Sequence, residues 1–145
     1  MAKGKNSILI IICLFFIVVS CSNATDINSY IENTNENILD LQKFTEKKIN
    51  FVYIFGEYTD NADISAITGC KYKGDIIQDS EYLLLLISNN EIVYQEIFDE
   101  KNFEFSRNKK EVVQGIVFRK YNCSKFKIEN KPNNFKELLP IDKNW

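Results

Sequence analysis

Histidine is absent from all 145 residues. Its absence removes serine–histidine and cysteine–histidine catalysis and the commonest zinc ligand. Glycine is scarce: five residues, spread singly at positions 4, 56, 69, 74 and 115, so no glycine-rich loop exists to cradle a phosphate. Nor is there an excess of positive charge. The chain has 18 Lys and Arg against 20 Asp and Glu, with the lysines scattered among acids, which leaves no electrostatic footprint for nucleic acid. The run Asp60-Asn61-Ala62-Asp63 begins like a calcium loop, but Ala62 stands at the third position and Ser65 at the sixth, where an oxygen ligand and a glycine are needed. It reads as a helix cap. No metal and no cofactor are expected.

Apolar residues are plentiful and begin early. After Lys3 and Lys5 the chain runs from Ile8 to Ser20 with no ionisable side chain except Cys13, a charged start and an apolar stretch shorter than the roughly 20 residues of a membrane span. The pattern is that of an export signal over residues 1–20. At its end, Val18-Val19-Ser20-Cys21 resembles the lipobox of bacterial lipoprotein precursors, with Val18 where the family most often has Leu. The resemblance implies cleavage before Cys21, a diacylglycerol thioether on its sulfur and acylation of the new amine, which together anchor a protein firmly. The alternatives are an ordinary signal peptide cut nearby or an uncleaved anchor. The residue after the acylated cysteine is Ser22, not the Asp that retains such proteins in the inner membrane, so the resemblance implies the outer membrane facing the periplasm, with the inner membrane and the cell surface as the alternatives.

In that setting Cys13 leaves with the leader and Cys21 is lipidated, so Cys70 and Cys123 remain as a pair in an oxidising compartment. A Cys70–Cys123 disulfide is predicted, contributing about 4 kcal/mol in the chain-entropy model; the alternative is two buried thiols. Loss of Lys3 and Lys5 brings the net charge near −4. Residues 21–35, polar and rich in Asn, read as a flexible tether behind the lipidated cysteine, and 36–145 as one domain.

Within the domain, Ile38, Leu41 and Phe44 with Leu39 suggest a helix over NILDLQKFTEKK, or one starting near Asp26 that adds Ile27, Tyr30 and Ile31. FVYIF, residues 51–55, is a buried strand, and a short helix follows, capped by Asp60 or Asn61 and stopped at Gly69. EYLLLLIS and EIVYQEIF flank Asn89-Asn90, a pair suited to a type I′ hairpin. EVVQGIVFRKYNC reads as one bent strand with a kink at Gly115, and SKFKIENK as a lysine-guarded edge strand. The tail from Lys131 reads as irregular. The fold class is α+β: an antiparallel sheet of four to six strands with one or two helices on one face.

Glu96, between Tyr94 and Phe98, is the first acid to examine for glycoside chemistry, against a plain solvated strand face. No catalytic residue is assigned. The loop at 56–65 is acidic and carries a tyrosine; Glu57, Tyr58, Asp60 and Asp63 are the candidate partner-binding residues, against a plain connecting loop. In general terms the architecture resembles envelope-anchored immunity proteins and lysozyme inhibitors. That resemblance implies a non-enzymatic module that neutralises one protein, a basic toxin or lytic enzyme steered to an acidic domain. The second reading is an assembly lipoprotein docked on an outer-membrane complex.

Overall fold

A computed structural model describes residues 26–141. The export signal, the lipobox and Cys21 lie outside them. The first described element is a helix, α1 (Ile27–Asn33). Asp26 caps it by accepting a hydrogen bond from Ser29 N at 2.6 Å, and Ile27 and Ile31, one turn apart, are buried. This stretch, read as tether or as a helix starting near Asp26, is that helix, and it belongs to the core.

The stretch expected to be helical from Asn37 is instead strand β1 (Ile38–Asp40) followed by one 3₁₀ turn, Leu41–Phe44. The burial explains the change. Ile38 is exposed whereas Leu39 and Leu41 are fully buried, a period of two that matches pairing of Ile38, Leu39 and Asp40 with Lys127, Phe126 and Lys125. Asp40 then turns the chain by accepting from Gln42 N at 3.0 Å.

The strand elements that follow are β2 (Phe51–Phe55), β3 (Glu81–Ser88), β4 (Glu91–Asp99), β5 (Phe103–Phe105), β6 (Lys110–Val113), β7 (Ile116–Tyr121), β8 (Lys125–Asn130) and β9 (Lys136–Pro140). They divide into two sheets. One is antiparallel, in the order β4-β3-β2-β7-β6; the other, β1-β8-β9-β5, is antiparallel except for the β9–β5 pair. The α+β class holds, with the strands shared between two sheets. The main core lies between the sheets: Val52, Ile54, Leu84, Leu86 and Tyr121 of the five-stranded sheet meet Leu39, Phe103, Phe105, Phe126 and Leu138 of the other. On the outer face of the five-stranded sheet, Tyr53, Phe55, Leu83, Leu85 and Phe118 pack on Ile64 of helix α2 (Asn61–Thr68) and on Tyr72 and Ile77. β2 and β3 are thus buried on both faces, as their unbroken apolar runs require. Asp60 caps α2 and Gly69, at φ 71°, ends it.

Two strand assignments change. β8 is interior, between β1 and β9, with Phe126 and Ile128 inward and its lysines on the uncovered outer face, where Lys127 pairs with Glu129 at 2.9 Å. The segment 110–121 is a hairpin, not one bent strand. Gln114 (φ 51°) and Gly115 (φ 85°) both occupy the left-handed region, as a two-residue type I′ turn demands. Asn89 and Asn90, at φ 47° and 62°, form the expected turn between β3 and β4. The tail read as irregular contributes β9, whose Leu138 is fully buried.

The expected Cys70–Cys123 disulfide is not formed. Cys70 sits in the outer cluster with Ile64 and Tyr72, while Cys123 packs against the inter-sheet cluster. The five-stranded sheet separates those clusters, and a bridge needs Cα atoms within about 7 Å.

Candidate functional site: a cleft beside a free strand edge

After β2 the chain turns at Gly56 through Glu57, Tyr58 and Thr59. Three contacts fix this turn. Thr59 Oγ1 donates to Gly56 O at 2.9 Å, Tyr58 N donates to Ile77 O at 3.2 Å, and the Glu57 carboxylate accepts from Ser80 N at 2.9 Å. Tyr58 takes φ 61° and is 71 % exposed. Facing this turn is the β6–β7 hairpin, with Lys110, Gly115, Ile116 and Val117. Between them lies a cleft of about 450 Å³ whose lining includes Ile54, Tyr82, Glu100 and Arg119.

The cleft's deepest charges are satisfied by one another. Arg119 Nη2 lies 2.6 Å from Glu100 Oε1, with the two side chains only 6 % and 7 % exposed. Arg119 Nη1 also donates to Phe105 O at 2.7 Å, and the guanidinium sits 5.2 Å from the Tyr82 ring centre. Burial pushes the Glu100 carboxyl above its ordinary 4.5, with Arg119 opposing that shift. Burial likewise raises the Tyr82 phenol, helped by the Glu100 charge. Each charge of this pair is held in place by the other. At the mouth, Arg107 is paired with Glu104 at 2.8 Å. Among the described residues no three acidic, cysteine or histidine side chains gather at metal-binding distance.

Glu57 and Tyr58, two of the four residues proposed from the sequence, line the cleft. Asp60 and Asp63 do not. Asp60 accepts from Asp63 N at 2.8 Å and so serves the start of α2. Glu96 is not a plain solvated residue. Its carboxylate accepts from Ile27 N at 2.8 Å, Asn28 N at 2.9 Å and the Tyr94 hydroxyl at 2.5 Å, closing the N-terminus of α1. Burial, and then this carboxylate, push the Tyr94 phenol up.

Sequence reasoning missed Glu100, Arg119 and Tyr82. Arg119 leaves a signal: it shares the inward face of β7 with Tyr121, and a charge placed inward on a strand calls for a buried counter-charge. Glu100, in the turn after β4, leaves none. No family model, curated protein or solved structure matches the chain.

Proposed function

We propose that this chain is a lipid-anchored envelope binding module, attached through Cys21, which neutralises a toxin or wall-degrading enzyme by protein–protein contact. The observation that carries this reading is the surface around the cleft. Tyr58 (71 % exposed), Val117 (50 %) and Val112 (66 %) form an uncovered apolar border, while the charges beneath are held in the Arg119–Glu100 pair. An aromatic anchor over a pre-organised floor, with an acidic neighbour in Glu57, has the composition of a protein-recognition surface.

The test is capture from envelope fractions and secreted proteins by the full-length chain in detergent, read by mass spectrometry. One stoichiometric toxin or lytic enzyme is expected, with Tyr58→Ala weakening its capture by about tenfold or more, as for an aromatic anchor. Cys21→Ser abolishes labelling by palmitate. Recovery of a multi-subunit outer-membrane complex instead moves the protein to the assembly class.

A further inference from the structure

The two sheets have four edge strands, β4, β6, β1 and β5, and an edge invites pairing unless it is short, irregular or guarded by charge. β1 and β5 have three residues each. β4 carries a register shift opposite Leu86 and Ile87, and its Glu91 and Glu96 are engaged by Lys47 and by α1. β6 differs. Each of its residues is exposed, and two of them are valines.

The turn fixes which backbone groups of β6 face outward. In a two-residue hairpin the closing pair, here Val113–Ile116, is hydrogen-bonded, and bonded and non-bonded pairs then alternate along the ladder. Val112, opposite Val117, therefore directs its N–H and C=O away from β7. Lys110, two residues earlier and opposite Arg119, projects on the same face as Val112, as do Val117 and the cleft. Arg119 is neutralised by Glu100 and Arg107 by Glu104, whereas no described carboxylate pairs with Lys110.

We infer that β6 accepts an extended segment of the partner protein as an added strand. That segment carries an aliphatic residue beside Val112 and an acidic residue two positions along, beside Lys110. The inference rests on the partner-binding reading above. Val112 supplies two main-chain hydrogen bonds, the Val112–Val117 pair supplies an aliphatic bed, and Lys110 selects charge. A basic partner is drawn at long range by the acidic domain as a whole, and the contact at Lys110 needs only one local carboxylate.

The full-length chain in detergent micelles is titrated calorimetrically with two end-blocked peptides, SVTETVS and SVTKTVS. SVTETVS binds about tenfold or more tightly than SVTKTVS, and Val112→Pro weakens it by a similar factor. Proline at 112 removes an N–H that points to solvent, which edge strands tolerate. Lys110→Glu, at an exposed position, reverses the peptide preference independently of any effect of proline on the hairpin. Equal affinity for the two peptides, or wild-type affinity in both variants, overturns the inference. A dimer that dissociates on Val112→Pro also overturns it, by putting a second copy of this chain on the edge. A toxin or enzyme still captured by both variants leaves the partner reading standing and removes strand addition. Peptide selectivity with no captured protein does the reverse.

Discussion

Arg119 and Glu100 meet where both side chains are more than nine-tenths buried. Removing one partner strands the other's charge, so Arg119→Met is expected to lose about 3–5 kcal/mol in urea unfolding, and a second change, Glu100→Leu, to recover most of it. The pH dependence has a defined sign. Glu100 has its folded-state pKa raised above 4.5 by burial, so stability linked to it is fully present below 4.5 and is lost as pH rises through the folded value. Arg119→Met removes the opposing cation and enlarges that loss, making its deficit smaller near about pH 4 than near about pH 8. A variant equally impaired at both would show that Glu100 does not carry the effect. At this scale the sequence was partly legible. Asp60 and Gly69 cap α2 as their residue types dictate, and Asn89-Asn90 turn as asparagines can. Glu96 was not legible, because its two backbone donors lie 69 and 68 residues away.

Helix α1 is held at both ends by side chains from different sheets. Glu96 of β4 closes its N-terminus, and Lys136 Nζ of β9 donates to Ile31 O at 2.6 Å and Thr34 O at 3.0 Å. Either Glu96→Gln or Lys136→Met is expected to lower protection of the α1 amides by about 1–2 kcal/mol in hydrogen exchange while β2 and β3 keep theirs. Acid acts on the same helix. The Ser29 N–H holds the Asp26 carboxyl below its ordinary 3.8, so the cap's contribution is complete above 3.8 and is lost as pH falls through the lowered value. The α1 amides should therefore open before the strands do as acid is added. The elements themselves were read unevenly, for a physical reason. Ile38, Leu41 and Phe44 satisfy a helical spacing while Leu39 and Leu41 satisfy a strand spacing, and the partner strand β8, remote in sequence, decides between them. VVQGIV was read as a bend at Gly115, yet two β-branched pairs flanking a residue and a glycine are also what a tight hairpin requires.

Period-two patterns tell which side chains point inward but not which sheet a strand joins. In SKFKIENK the alternation is clear, yet β8 lies inside its sheet and not at an edge, because β9, in a proline-bearing tail, gives no strand signal. The same gap misled the cysteines: pairing by elimination could not see a sheet between Cys70 and Cys123. Both are therefore expected to alkylate in denaturant without prior reduction, and reductant should leave the thermal midpoint unchanged; a mass two hydrogen atoms lower in unreduced than in reduced protein contradicts this. Stability then rests on two cores that share β2 and β3. The clamped α1 also bears on how far the module can roam. With attachment at Cys21, only five Cα steps lead to the Asp26 cap, at most about 20 Å of extended chain. The module is then kept on a short leash at the lipid surface, with α1 latched to the β4 edge and the cleft toward the β6 edge across the sheet. Encounters become nearly two-dimensional, favouring partners that arrive at the bilayer, and any tug on the lipid is shared by both sheets through Glu96 and Lys136.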